Sequence, residues 1–426
     1  MTSNDRGVPP IVQARVVRAR TAVAWVFAVN GAGIATWLSR LPEIRDSLGL
    51  SPSRLGLVLI SSAVGAVLTL PASGFVVHRL RPPGTVRLGA LLCLFGVALV
   101  GLAGGGGFGG VPVMVTGLFC FGVGNSMWDV AMNVEGAEVE RLLGRPIMPR
   151  FHAAFSLGTV VGALLGALAQ AFTVKVPVPV HLVVVAVLVA AVVLFSVRLF
   201  LPVPDEVPRP GGGPQGRAGS GRGSSGSVAA WLEPLTLMLG LATLGAALAE
   251  GSANDWLAIG LVDGYHVSRA VADVGFGVFV AAMTLARLLG PQVLDRFGRV
   301  TTLRGSAVLV MAGILTFVAG ASVTAAGSGY RLVGLVMAVV AALAWGSGAA
   351  LGFPVAMSAA SDDPARSAAR VSVVASLGYV AFLAGPPFLG LLGDRLGVVR
   401  SLLGVAVAVI LSLLCAGAAR ARPTLR

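Results

Sequence analysis

Twelve predominantly apolar stretches, each about the length of a bilayer-crossing helix and separated by short segments rich in Arg, Pro or Gly, run through the chain. A bilayer core of roughly 30 Å is crossed by about 20 residues of α-helix, and only a helix or a closed barrel satisfies every backbone N–H and C=O where water is absent. The stretches fall near 20–41, 54–78, 85–104, 111–138, 149–173, 177–200, 234–259, 270–294, 300–323, 330–358, 367–391 and 398–419. Hydrophobic residues make up 56% of the 426 positions and charged ones 12%, against roughly 25% charge in soluble domains, so an ordinary soluble fold is excluded.

The net charge of +13 does not point to nucleic acid, because the basic residues lie between apolar runs instead of forming one basic face. Their distribution sets the topology. With the N-terminus inside, 22 basic residues fall on the inner side and 8 on the outer, with Arg287 inside a span, which predicts both termini in the cytoplasm. Residues 1–19 read as a retained cytoplasmic tail, since no small-residue cleavage site follows the first apolar helix. Cys93, Cys120 and Cys415 lie in apolar runs without CxxC spacing and support neither a disulfide nor a zinc site. No metal and no cofactor is expected.

The chain also repeats itself. Arg150 to Gly158 reads RFHAAFSLG and, 220 residues on, Arg370 to Gly378 reads RVSVVASLG. At the same offset Asn30-Gly31 aligns with Glu250-Gly251, with Trp37 and Trp256 shortly after. Between the sixth and seventh spans lies PVPDEVPRPGGGPQGRAGSGRGSSGSVAA, whose Gly, Ser and Pro content cannot form a packed core. The expected organisation is a tail (1–19), a six-helix half (20–201), a flexible cytoplasmic linker (202–230), a second six-helix half (231–420) and a short cytoplasmic tail (421–426). The fold class is all-α: twelve transmembrane helices in two pseudo-symmetric halves. Many secondary carriers have this plan and hold substrate between the halves near the midplane.

After the eighth span the sequence reads PQVLDRFGRVTTLR, with Asp295, Arg296, Gly298 and Arg299; after the second it reads GFVVHRLRPPGTVR, with Gly74, His78 and Arg79. These resemble the loop signature of the major facilitator superfamily. Pro291 stands in place of the first glycine of the second copy, beside Gly290, and His78 replaces the acidic residue of the first. The resemblance implies a gating loop in which a carboxylate pairs with Arg or with a helix N-terminus, a role that His78 cannot fill in the same way. Asp394-Arg395-x-Gly397 looks similar but falls on the outer side, which argues against the same role there. Further stretches, NGAGIATWLSRLPEIRDSLGLSPSRLGL from Asn30, WDVAMNVEGAEVERLLGRPIMPRFHAAFSLG from Trp128 and AEGSANDWLAIGL from Ala249, resemble the rhizopine-transport (MosC-like) branch of that superfamily. The resemblance covers nearly all of both halves. It implies a bacterial inner-membrane carrier of a polar, inositol-like or sugar-like solute.

An ionisable residue at the centre of a span costs on the order of 2.5 to 3.5 kcal/mol, so each needs a partner, a cavity or a task. Asn125, Asp129 and Asn133 recur every fourth residue and form one polar stripe in the fourth span, with Trp128 beside it as a stacking platform or as packing. In the seventh span Glu250 and Asn254 share a face, followed by Asp255 and Trp256. Across the pseudo-twofold axis Glu250 is expected to face Asn30, either in a substrate or proton role or in a structural hydrogen bond. Asp129 is the leading candidate for a proton-coupling carboxylate. Arg287 is expected either to pair with Asp129 or Glu250, or to bind an anionic group of the substrate. His152 is a candidate proton shuttle or a structural residue. Glu135, Glu138 and Glu140 are expected in a solvated cluster with Arg141 and Arg145. Pro71, Pro354 and Pro386-Pro387 kink their helices and free carbonyls.

These residues describe a monomeric carrier whose partners are a small solute, the lipid bilayer and protons, its site lined by Asn30, Trp37, Asn125, Trp128, Asn133, Asn254 and Trp256. Import of a hydroxylated solute and efflux of a drug or metabolite are separate readings. A polytopic membrane enzyme is the alternative from another class, but no HExxH, GxSxG or phosphate loop supports it.

Overall fold

The computed structural model describes residues 10–105, 109–143, 147–171, 176–201, 230–363 and 366–420. Among them the chain is helical throughout and contains no strand. The N-terminal half comprises α1 (Pro10–Ser39), the short α2 (Leu41–Ser47), α3 (Pro52–Gly104), α4 (Gly110–Leu143), α5 (Met148–Ala171) and α6 (Val178–Ser196). The C-terminal half comprises α7 (Pro234–Tyr265), α8 (Arg269–Ala325), α9 (Arg331–Ala349), α10 (Gly352–Ala360), α11 (Ser367–Leu396), α12 (Val398–Ser401) and α13 (Leu403–Cys415). Residues 10–19, read from sequence as tail, are part of α1. The linker at 202–229 and the terminal residues 1–9 and 421–426 lie outside the described residues.

Among the described residues eleven helical stretches are long and apolar enough to cross a bilayer, and the 57-residue α8 turns back on itself and supplies two of the twelve spans. The reversal in α8 is a single residue, Gly298 (φ 71°, ψ 169°), and the one in α3 is Arg81 (φ 60°, ψ 165°). Gly397, between α11 and α12, adopts the same shape (φ 81°, ψ 152°). The repeated Asp-Arg-x-Gly pattern is therefore a turn that reverses the chain, and its last position demands a conformation open essentially to Gly alone. The side chain at Arg81 holds the first copy of the turn under strain.

Two seams join the halves, one between the first arm of α3 and α11 and one between α5 and the first arm of α8. The α3–α11 seam is close-packed by absence of side chain: a Cβ at Gly56 would overlap the carbonyl of Pro386, and one at Gly390 would overlap that of Pro52. Both contacts lie toward the end of the bundle opposite the one where α1 starts, called here the far end. The other is the near end.

Replacing Arg81 by Gly relieves a Cβ clash worth about 1–3 kcal/mol, less up to about 1 kcal/mol of added unfolded-state freedom. The Arg81→Gly protein is expected to melt a few degrees higher in detergent, whereas Gly298→Val melts lower. A lower melting temperature for Arg81→Gly would show that the arginine side chain contributes more than its backbone costs.

Candidate functional site

Asp129 lies on α4, 14 residues from its near end, which at 1.5 Å per residue is roughly 21 Å into the bundle. It is nonetheless exposed. A carboxylate so deep that still meets accessible space lines a cleft. Asn133, one turn on, donates from Nδ2 to the Asp129 carboxylate (3.2 Å) and to its backbone carbonyl (2.8 Å). Tyr379 of α11, also exposed, stands within electrostatic reach of Asp129 across the divide between the halves. Among the described residues no cation pairs with Asp129.

Glu250 of α7 and Arg287 of α8 are paired. Arg287 Nη2 donates to both carboxylate oxygens, at 2.8 and 2.9 Å, and Nε donates to the carbonyl of Ala350 (3.3 Å). That carbonyl is free because the residue four positions on is Pro354, which has no N–H to offer it. The break between α9 and α10 thus supplies an acceptor that fixes the guanidinium. Of the partners expected for Arg287, the geometry selects Glu250. His152 of α5 is exposed, packs edge-on against Phe27 (ring centroids 5.3 Å) and lies within electrostatic reach of Arg287.

The asparagine stripe divides. Asn30 is buried, and its Nδ2 donates to Asn125 Oδ1 (3.1 Å), locking α1 to α4. Asn30 and Glu250 therefore each find a partner within their own half. Trp37, Trp128 and Trp256 are buried in helix packing, Trp37 edge-on to Phe121 (5.5 Å), so their rings stand behind the cleft wall. Asn254 and Asp255 are half-buried, and Asp255 and Trp256 line a small cavity against Phe382 and Pro386 of α11. Glu135, expected among solvated charges, is buried and accepts the Leu201 N–H (2.7 Å), because the chain leaving α6 folds back over it. Glu140 accepts the N–H groups of Ile147 (2.6 Å) and Met148 (2.7 Å) at the start of α5.

In the loop signature, Arg299 pairs with Asp362 (2.6 Å) and donates to Ser358 Oγ (3.1 Å), which binds the second arm of α8 to the end of α10. Arg296 lies over the ring of its neighbour Phe297 (5.5 Å). Asp295, His78 and Arg79 are exposed, and Gly74 lies in α3. All these contacts are made within one half.

Contacts between the halves belong to residues to which the sequence reading gave no such role, Arg45 and Arg269 entering it only as outer basic residues and Asp394 only as a motif copy. Arg45 on α2 makes a two-pronged pair with Asp263 at the end of α7 (2.5 and 2.8 Å) and also binds Asp46 (2.8 Å), which pairs with Arg269 at the start of α8 (2.6 Å). Asp394, in the third turn copy, accepts from the Ser53 N–H (3.2 Å) and Ser51 Oγ (3.4 Å) at the N-terminus of α3. Gln170 of α5 donates to the buried Asp273 of α8. Among the described residues the polar contacts joining the halves gather at the far end. The halves are closed there, and the cleft holding Asp129, His152 and Tyr379 opens to the near end. Asp394 lies at the far end, away from the loops after spans two and eight, and there its carboxylate ties α11 to α3 across the seam. The available signal was the run PEIRD, charged residues inserted between two spans.

Two six-helix halves that meet at one end and enclose a polar cleft form a membrane transporter, not an enzyme. The chain belongs to the Major Facilitator Superfamily, whose family profile matches residues 22–386. It is 29% identical over 403 residues to an uncharacterized MFS-type transporter of Yersinia pestis, covering 94% of each chain. It is 25% identical over 393 residues to the membrane protein MosC of Rhizobium meliloti, covering 92% of this chain and 88% of that one. Among solved structures it is similar to a nucleoside transporter, a variant of NupG (TM-score 0.72, 16% identity, 94% of this chain and 98% of that one). It is also similar to a D-xylose–proton symporter (TM-score 0.66, 15% identity, 95% and 96%).

Removing one member of the Glu250–Arg287 pair strands the other charge inside the bundle. Glu250→Gln and Arg287→Gln are each expected to lose about 2 kcal/mol of stability, discounted for partial exposure. In a double-mutant cycle read by thermal unfolding, the double substitution is expected to fall short of the summed losses by about 1 kcal/mol or more. Strictly additive losses would show that the two side chains are not energetically coupled.

Proposed function

We propose that this protein is a monomeric, proton-coupled secondary carrier of a small polar, sugar-like or inositol-like solute, working by alternating access in a bacterial inner membrane. The near end faces the cytoplasm, in keeping with the excess of Arg on that side. The observation that carries the coupling assignment is the contrast between two carboxylates. Glu250 is neutralised by Arg287, whereas Asp129 lines the cleft with only neutral Asn133 and Tyr379 around it. An uncompensated carboxylate inside a membrane cleft favours its protonated form whenever solute or closure removes water from it. Asp129 therefore binds a proton in one orientation of the cleft and releases it in another. Asn133 and Tyr379, with His152 nearby, offer neutral hydrogen-bonding groups suited to hydroxyls, and the Arg287–Glu250 pair offers a donor and an acceptor without net charge.

The printed name of the D-xylose–proton symporter, which shares the fold, agrees with this reading. Efflux of a drug or metabolite against protons is the second reading. The cleft carboxylate Asp129 would serve it equally well for a cationic compound.

In proteoliposomes with an imposed pH gradient, the wild type is expected to move protons when inositols, amino-sugars or sugars are supplied. Asp129→Asn is expected to abolish solute-driven proton movement while leaving solute binding within a few-fold of wild type. If Asp129→Asn transports protons with solute as the wild type does, coupling through this carboxylate is wrong. If only lipophilic cations move protons, the efflux reading replaces the first.

A further inference from the structure

We propose that Asp273 is a second proton-binding site, loaded when the far end closes and separate from the cleft carboxylate Asp129. This rests on the alternating-access reading, because burial that never reverses would load nothing.

Asp273 belongs to the C-terminal half, one turn into α8, yet its side chain is fully buried against the N-terminal half. Gln170 Nε2 of α5 donates to Oδ2, and Gly166, one turn earlier on α5, makes room for Ser39 of α1 beside the carboxyl group. Oδ1 is buried and accepts no hydrogen bond among the described residues. The charges that reach Asp273 come from Arg40 at the end of α1 and Glu43 on α2. Arg40 is itself fully buried, pairs with Glu43 (2.8 Å) and donates to the Val176 carbonyl (2.8 Å). His181 of α6 is buried with neither ring nitrogen hydrogen-bonded among the described residues, and it faces Arg40. On the same helix as Asp273, Arg269 is engaged by Asp46.

The charges then balance in pairs. Arg40 is matched by Glu43, Arg45 by Asp263 and Arg269 by Asp46. Ionised Asp273 makes no ion pair among the described residues, although Arg40, whose Nε and Nη1 are buried without a hydrogen-bond partner there, lies within electrostatic reach of it. A carboxylate fully buried without a contact ion pair, beside an arginine whose charge Glu43 already shares and with one oxygen accepting nothing, is less stable than the neutral acid, which needs no counter-charge. Closure of the far end therefore takes one proton from far-side water to form an O–H on Asp273. The wall around Asp273 is made by the opposite half, so parting of the α5–α8 seam returns water to it and the proton leaves. The partly exposed pairs Arg45–Asp263 and Asp46–Arg269 keep their charges in both states. Acid favours the closed far end, and base favours the open one.

The test uses the full-length protein in nanodiscs, with Cys93, Cys120 and Cys415 replaced by Ala and spin labels at Ser47 and Ser328, exposed far-end positions on opposite halves. Distances between the labels are measured from about pH 5 to about pH 8, a window that covers His and a buried carboxyl. In the otherwise wild-type protein the long-distance population is expected to grow several-fold as pH rises. Asp273→Asn is expected to hold the far end closed at every pH, Asp273→Glu to keep the pH response, and Asp129→Asn and His181→Gln to keep it as well. A far end that opens without regard to pH, or an unchanged response in Asp273→Asn, overturns this proposal alone. Loss of the response in His181→Gln with retention in Asp273→Asn assigns the proton to His181 instead. A far end that stays closed in every protein at every pH, with or without solute, overturns the alternating-access reading together with it.

Discussion

A charge withdrawn from water persists only where another charge, a proton or a cleft full of solvent compensates it. Along this chain the mode of compensation changes with depth. At the far end charges answer one another across the two halves: Arg45 with Asp263, Asp46 with Arg269. In the middle Glu250 and Arg287 answer one another within one half, and Asp129 is left to the cleft. Under the proposed alternating access, contacts across the seam are the ones that break when the far end opens, whereas contacts within a half persist.

The twelve spans, the duplication and the chain-reversing turn were legible because each follows from a local rule. Apolar length demands a helix, an offset of 220 points to two similar halves, and the loop signature after the second and eighth spans marks where the chain turns, though the positive φ of its last residue was read only from the structure. Asp129 was legible as a polar residue that nothing in its own span could neutralise. The seam was not legible. Arg45, Asp46, Asp263 and Arg269 sit beside loops, where topology alone accounts for charge, and their pairing depends on which helices the fold brings side by side. Burial was equally hidden: Arg370 is 2% exposed and paired with Glu233, while its repeat mate Arg150 is exposed. Arg370 and Thr236 hold the Glu233 carboxyl below the usual carboxylate range.

The two seams are repeats of one another, and the difference between them carries the functional asymmetry. The offset of 220 maps Ser53 on α3 to Asp273 on α8, and Gln170 on α5 to Gly390 on α11. In the α3–α11 seam the matching positions are small, and Gly390 lets the Pro52 backbone pass close while Asp394 caps the chain at Ser53 from the solvent side. In the α5–α8 seam the same positions hold a buried carboxyl and the amide that binds it. Two backbones in contact lose and regain van der Waals contact alone when they part, with no dependence on pH. A carboxyl moved between a dry wall and water changes its proton affinity. The repeat therefore sets two seams in matching positions, and the residues at two of those positions give the α5–α8 seam, and not the α3–α11 seam, a buried carboxyl whose proton affinity depends on closure.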